Sequence, residues 1–488
     1  MSAPTPIIPL AELPDTRAAT APDAPCITDD TVQLDNAQFA ERVARAAAAL
    51  ARLGVGAGDV VAVALPNRIE LVTSLFAAWR LGAAATPVNP ALTPPEMQYQ
   101  IDDAGAKVVI GDGLELDAAV VELGELAEES SLEPEPAAVD PAALALLIYT
   151  SGTTGKPKGV MLDHANIAAM CEMARAGLGI TAADHGLLIL PLFHVNGIVI
   201  GTLTPLLAGG RVTIAGRFSP KTFLDLVEQI RPTYFSAVPA IYAMLTSMPE
   251  AETADTSSLR LVVCGAAPMP AELISRVEGT LGVVLVEGYG LSEGTCASTL
   301  NPYDGVRKPG TVGLPLPGQE VRVVDQLGQP LPQGERGEVV IRGANIMRGY
   351  LNRPEDTAKT IVDGWLHTGD VGIFDEDGYL RIVDRIKDMI IRGGENIYPK
   401  EIETALYGHE GVLEVAVVGR PDDVLGEVVV AYVSLRTEAK VTVEELHALC
   451  AERLAKYKRP VLIEVIDDLP KNAVSKIDKP TLRALATR

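Results

Sequence analysis

Between residues 36 and 110 the chain switches repeatedly between two periodicities, and this alternation limits the folds open to it more than any other feature. Apolar residues recur at helical spacing over 39–53 and 70–81, whereas 60–65 and 107–110 are short runs rich in valine and isoleucine. A strand buried on both faces reads as a near-continuous apolar run, and a helix between two such strands is the crossover that parallel pairing requires. The pattern continues with strands expected at 142–149, 212–214, 233–238, 261–264 and 283–287, and helices at 220–230 and 270–281. An acidic stretch, 115–140, reads as a surface helix followed by a loop. The expected fold class is α/β, with a large N-terminal domain of layered, mostly parallel sheets and helices.

The pattern changes at 310–383, where Gly, Pro and Asp turns separate short alternating strands such as 320–324 and 338–342. That is the pattern of a small β subdomain. Past Arg385, helices at 399–406 and 443–454 and strands at 412–419, 428–435 and 460–465 make a small, mobile α+β domain of ordinary size. The boundary is expected at 385–388, giving domains 1–386 and 387–488. Length agrees, because 488 residues exceed what one core supports.

A formal net charge of −23 repels DNA, RNA and anionic membrane surfaces, so nucleic acid is excluded as a partner. Five scattered cysteines (Cys26, Cys171, Cys264, Cys296, Cys450) form no CxxC pair and have no histidine at ligand spacing. Neither a disulfide framework nor a zinc site is expected, and a reducing cytoplasm fits. The first ten residues lack the basic and apolar plan of a secretory signal. The uncharged stretch 187–210 is interrupted by Pro191, His194, Asn196 and Pro205, so buried strand, loop and helix pieces are expected there, with no integral membrane contact.

Chemistry concentrates in a few motifs. Tyr149-Thr-Ser-Gly-Thr-Thr-Gly-Lys-Pro-Lys-Gly159 directly follows the expected strand at 142–149. Gly152, Gly155 and Gly159 let the backbone approach an anion; Thr150, Ser151, Thr153 and Thr154 supply hydroxyls and Lys156 and Lys158 supply charge, a combination suited to polyphosphate. The Walker A spacing is not met. In Glu287-Gly-Tyr-Gly-Leu-Ser-Glu293, Gly288 and Gly290 flank Tyr289 so that a base can lie against backbone and ring, and Glu293 is a hard oxygen ligand suited to Mg²⁺. Gly364-Trp-Leu-His-Thr-Gly-Asp370 and Tyr379-Leu-Arg-Ile-Val-Asp-Arg385 offer a carboxylate and a guanidinium able to hold one ribose. The segment 384–396, with polar positions followed by Gly393 and Gly394, suits a hinge. A lysine-rich tail, 469–479, and Pro191-Leu-Phe-His-Val-Asn-Gly197, with a lone histidine in apolar sequence, complete the set.

In this order the motifs span essentially the whole chain, which resembles the adenylate-forming superfamily of acyl-CoA synthetases, luciferases and nonribosomal adenylation domains, and most of all the acyl-CoA synthetases. The resemblance implies that Thr150, Ser151, Gly152, Thr153, Thr154, Gly155, Lys156 and Lys158 hold ATP's phosphates, with Thr153 also catalytic. It places Gly265, Ala266, Ala267, Gly288, Tyr289, Gly290 and Ser292 at the nucleotide, Glu293 on a catalytic Mg²⁺, and Asp370 and Arg385 on the ribose. Lys387 matches the family's hinge residue, Gly393 and Gly394 line the thiol's approach, and Lys476 matches the catalytic lysine, with Ser475 where the family usually has glycine. His194, Asn196, Val238 and Tyr242 fall at the acyl pocket. The implied activity joins a small carboxylic acid, ATP and coenzyme A: an acyl-adenylate forms with release of pyrophosphate, and the acyl group passes to the thiol. A medium-chain fatty acid is the first expectation for the substrate and an aryl acid the second; a stand-alone adenylation enzyme loading an acyl carrier protein is the third. Gly288 stands where dicarboxylate-specific relatives place an arginine, which argues against malonate. No oligomeric state is assigned.

Overall fold

The computed structural model describes residues 9–127, 134–150, 156–436, 439–471 and 477–487. The chain divides into two compact units, one formed by Met1–Val321, Val340–His367 and Gly378–Leu380, the other by Arg322–Val339, Thr368–Asp377 and Arg381–Arg488. The strands Gln319–Val324, Gly337–Gly343 and Trp365–Phe374 of the turn-rich region each contribute residues to both.

The first unit is α/β and carries two large sheets. In the nine-stranded sheet, Val284–Tyr289, Leu261–Cys264, Tyr234–Ala237, His185–Leu188, Arg211–Ile214 and Pro25–Thr28 lie side by side and parallel, with antiparallel strands at both edges. The seven-stranded sheet has a parallel centre of Leu144–Thr150, Ala84–Pro87, Val60–Val63, Val108–Ile110 and Val120–Val121. Its other edge is antiparallel, made by Lys158–Asp163 and Gly349–Tyr350. Helix ends follow local chemistry. The helix His164–Leu178 starts at a reciprocal cap between Asp163 and Asn166 and stops at Gly179, whose φ of +61° suits glycine. Beside the nine-stranded sheet, Phe223, Phe235, Tyr242, Val262 and Val277 close one apolar core.

Two local expectations change. Within 115–140, Val120–Val121 forms a strand parallel to Val109 and Ile110, and only Leu123–Leu126 is helical among the described residues. An open sheet edge recruits adjacent valines that an exposed helix would leave in water. The strand expected to end at residue 287 runs through Gly288 and Tyr289, because both pair antiparallel with Thr299–Leu300. Residues 187–210 do resolve into pieces: the end of strand His185–Leu188, a π-helix at Asn196–Leu203 and a short helix at Thr204–Leu207. No helix among the described residues is long and apolar enough to cross a membrane.

The second unit is α+β, its main sheet ordered Glu395–Ile397, Ile390–Arg392, Gly426–Leu435, Val412–Asp422, with Leu462–Val465 parallel to Gly426–Leu435. Strand alternation builds a core on each face. Val415, Val417, Val429 and Ala431 meet the helices Pro399–Tyr407 and Val443–Arg453, and Ala416, Val418, Val430 and Tyr432 meet the last helix, Lys479–Ala486.

Candidate active site

The antiparallel pair Leu144–Thr150 and Lys158–Asp163 holds both ends of the phosphate-type motif, with Tyr149 opposite Gly159 and Thr150 opposite Lys158. Ser151, Gly152, Thr153, Thr154 and Gly155 lie outside the described residues. Around the ends, polar side chains interlock. The Tyr149 hydroxyl donates to Asp103 at 3.0 Å, and Arg353 pairs with the same carboxylate at 3.4 Å. Burial, then the Asp103 charge, pushes the Tyr149 phenol far above its ordinary range, so it remains a donor. The Lys156 ammonium lies 5.4 Å from the centre of the Tyr99 ring. Lys158 pairs with Asp356 at 2.7 Å and lies 5.2 Å from the centre of the Tyr350 ring.

At the C-terminal ends of two neighbouring parallel strands the backbone is nearly bare. Such ends are where open α/β sheets take ligands. Gly265, Ala266 and Ala267 follow one strand, and Gly288 and Tyr289 end the other, with Gly290 just beyond it. Ala266 holds φ at +68°, a left-handed conformation that costs a non-glycine residue about 1 kcal/mol. A Cβ on Gly290 would stand 1.8 Å from the Cys296 carbonyl oxygen, so only glycine fits. Ser292 and Glu293 lie in the one-turn helix Ser292–Gly294. There the Glu293 carboxylate accepts a hydrogen bond from the Tyr350 hydroxyl at 2.8 Å. Just upstream, Glu287 is buried; its Oε1 accepts from the Met269 amide at 3.2 Å, and its Oε2 has no partner among the described residues. Burial pushes this carboxyl up to about 7.

The acyl-pocket residues are placed unevenly. His194 packs its ring 4.7 Å from that of Phe193, and Asn196 opens the π-helix with its buried Oδ1 unpartnered among the described residues. The hydroxyls of Thr202 and Thr204 reach back five residues to the carbonyls of Gly197 and Val199, matching π spacing. Val238 is half-buried at the start of the helix Pro239–Leu245. Tyr242 differs from the expectation: it is 0% exposed, donates to the Val263 carbonyl at 2.8 Å and belongs to the core of the first unit. It points away from any accessible wall because the helix Pro239–Leu245 turns this face onto the sheet.

In the second unit, Asp370 is buried and accepts from Arg385 Nε at 2.9 Å, so the two residues expected at the ribose already face each other. Lys387 is exposed in the turn Ile386–Asp388; desolvation by its surroundings, then the Arg385 charge, pushes its ammonium down. Arg483 of the last helix pairs with Asp388 at 2.6 Å and donates to the Lys387 carbonyl at 3.2 Å. Gly393 and Gly394, with φ of +59° and +88°, form the two-residue turn between Ile390–Arg392 and Glu395–Ile397, the type I′ geometry that demands such residues. Lys476 and Ser475 lie outside the described residues.

The model of the AMP-binding enzyme family matches residues 14–351, and that of the AMP-binding enzyme C-terminal domain matches 401–476. The chain belongs to the AMP-binding enzyme family. Over 484 residues it is 40% identical to a feruloyl-CoA synthase from an Amycolatopsis species, covering 97% of this chain and 98% of that protein. The crystal structure of ATP-bound MatB from Rhodopseudomonas palustris is 33% identical with a TM-score of 0.91, covering 97% and 98% of the two chains. The o-succinylbenzoate coenzyme A synthetase of Bacillus subtilis, in complex with ATP and magnesium ion, is 33% identical with a TM-score of 0.88, covering 97% and 98%. This AMP-binding enzyme is an adenylate-forming, ATP-dependent acid–thiol ligase that uses ATP, Mg²⁺ and coenzyme A.

The donor set fits Mg²⁺. Among the described residues no group of three or more His, Cys, Asp or Glu side chains could cage a metal. Mg²⁺ does not need one, because it is commonly held by one or two carboxylates, water and substrate phosphates. Sequence reasoning missed Tyr350, Asp356 and Asp103, and the signal that could have raised Tyr350 is the Gly349-Tyr350 pair ahead of an Asn-Arg-Pro turn.

Proposed function

We infer that this AMP-binding enzyme is an aryl-acid–CoA ligase acting in the cytoplasm, its substrate a planar monocarboxylic acid of the hydroxycinnamate type. This reverses the order expected from sequence, in which a medium-chain aliphatic acid came first. The observation that carries the reading is that the packing around position 288 admits no side chain. A Cβ at Gly288 would meet Leu300 Cδ1 at 2.8 Å and the Thr299 carbonyl at 3.1 Å, and one at Gly290 would collide with backbone. That packing leaves no side chain at 288 and therefore no cation there for a second carboxylate, which favours a monocarboxylic acid. The full-length likeness to a feruloyl-CoA synthase supports the same choice.

In the proposed reaction the acid's carboxylate oxygen attacks the α-phosphorus of ATP and pyrophosphate leaves. The coenzyme A thiol, having lost its proton, then attacks the acyl carbonyl carbon and AMP leaves. Residues 150–156 and Lys158 position the phosphates, Tyr289 borders the adenine, and Asp370 with Arg385 holds the ribose. Lys476 stabilises charge moving between carboxylate and phosphate. Glu293 would hold Mg²⁺, which neutralises phosphate charge in the leaving group. Rotation about Lys387 then exchanges Lys476 for the glycine turn 393–394 along the thiol's path. Five free thiols, four of them buried, agree with a reducing compartment.

The test is acid-dependent pyrophosphate release and thioester formation over hydroxycinnamates, benzoates and C6–C12 fatty acids, with coenzyme A and with carrier proteins. The highest kcat/KM is expected for a hydroxycinnamate with coenzyme A. Faster turnover of octanoate than of every aryl acid, or transfer only to a carrier protein, would sink the reading.

A further inference from the structure

We propose that Tyr350 is a positioning residue that ties the metal carboxylate, Glu293, to the phosphate lysine, Lys158. The proposal rests on the metal role of Glu293 given above. One side chain makes both contacts: its hydroxyl donates to Glu293 Oε1 at 2.8 Å, and its ring lies 5.2 Å from the Lys158 ammonium.

The placement follows from strand pairing. Gly349–Tyr350 adds antiparallel to Lys158–Asp163, with Tyr350 opposite Val160. Lys158 is two residues from Val160 on the same strand and therefore on the same face, a diagonal neighbour within reach of an aromatic ring. The ladder continues in Arg348 N–H to the Met161 carbonyl at 2.9 Å and Leu351 N–H to the Gly159 carbonyl at 2.8 Å. The next contact upstream reaches the metal side: Met347 N–H donates to the Glu293 carbonyl at 2.8 Å. Residues 347–351 thus bridge the two halves of the site by backbone, and Tyr350 bridges them by side chain.

Tyr350 is also held from behind. Its N–H donates to Thr357 Oγ1 at 2.9 Å, and the helix Pro354–Thr360 approaches so closely that a Cβ on Gly349, with φ at +146°, would stand 2.7 Å from Thr357 Cγ2. The same helix supplies Asp356, the 2.7 Å partner of Lys158. One short helix therefore fixes both the ring and the ammonium above it. A phenol hydrogen bond to one carboxylate oxygen orients the other oxygen toward a cation, the outer-sphere role that commonly governs metal affinity. The ring face favours a cation without neutralising it, leaving Lys158 charged for phosphate.

The experiment compares Tyr350→Phe, Glu293→Gln and Thr357→Val in the full chain. Mn²⁺ affinity of the enzyme–ATP mixture is read by electron paramagnetic resonance, and Mg²⁺ dependence by acid-dependent ATP–pyrophosphate exchange. Thioester formation from pre-made acyl-adenylate and the melting temperature without ligands are followed alongside. Tyr350→Phe should weaken Mn²⁺ and raise the Mg²⁺ requirement roughly 10-fold, sparing the KM for the acid, the thioester half-reaction and the ligand-free melting temperature. Thr357→Val, which loosens the anchor without touching Glu293 or Lys158, should shift metal affinity in the same direction by a smaller factor. Unchanged Mn²⁺ affinity in both variants while Glu293→Gln loses it overturns the role of Tyr350 alone. Unchanged Mn²⁺ affinity in Glu293→Gln removes the metal role of Glu293 and the proposal with it.

Discussion

Replacing Glu287 by glutamine isolates a carboxyl that burial holds near neutrality. The side chain is 5% exposed, accepts one amide hydrogen bond from Met269, and is pushed by burial from 4.5 up to about 7. Below pH 4.5 folded and unfolded chains both hold the proton. As pH rises toward 7 the unfolded chain releases it and the folded chain keeps it, so this group's contribution to stability is lost across that window and is level above it. A shift of about 2.5 units at 1.36 kcal/mol each is about 3 kcal/mol. Glutamine keeps the shape and the acceptor for Met269 but cannot titrate. For a unit of about 350 residues, with an unfolding entropy near 2.1 cal/mol/K per residue, that difference is roughly 5 °C. The melting temperature of Glu287→Gln relative to the wild type should therefore climb by about 5 °C between pH 4.5 and pH 8, read by scanning fluorimetry in matched buffers. Parallel curves across this range would refute the reasoning, since they would mean that Glu287 ionises like an exposed carboxylate.

Gly290→Ala should cost about 3 kcal/mol or more and abolish ATP binding, because its Cβ would meet only backbone, the Cys296 oxygen at 1.8 Å and Ala297 Cα at 2.7 Å. Gly279→Ala is the control: it lies in the helix Ala271–Leu281 with nothing within 4 Å of the new methyl, and calorimetry should show a gain of about 0.5–1 kcal/mol. Lys476→Ala should abolish pyrophosphate exchange and largely spare thioester formation from pre-made acyl-adenylate. Equal loss in both half-reactions would contradict rotation about Lys387.

Individual residues show how much of the site could be read in advance. The strand before the phosphate-type motif was legible because Ala145, Leu146, Leu147 and Ile148 are apolar and buried on both faces. Asp370 and Arg385 were legible as a pair only through resemblance, yet they do face each other at 2.9 Å. Tyr242 was not legible: a tyrosine in the middle of a short helix can present its ring to a pocket or to the core, and the Val263 carbonyl decides for the core. The burial of Glu287 is set by tertiary structure in the same way. One carboxylate in an apolar strand usually marks an exposed edge, and only the neighbouring strand Leu261–Cys264 and the Met269 loop bury it.

Local order alone determined the layered α/β class, the α+β character of the C-terminal region and the order of the motifs proposed for phosphate, metal and ribose. Periodicity and turn chemistry act between residues a few positions apart, so they survive in one dimension. The tertiary structure decided what depends on distant strands meeting. It set Gly349–Tyr350 beside Lys158–Asp163, delivered the Tyr350 hydroxyl to Glu293, filled the space beside Gly288 and Gly290 with neighbouring atoms, and withdrew Tyr242 into the core. Strand register and close backbone approach arise only when remote segments pack, and no spacing along the chain encodes which faces will touch.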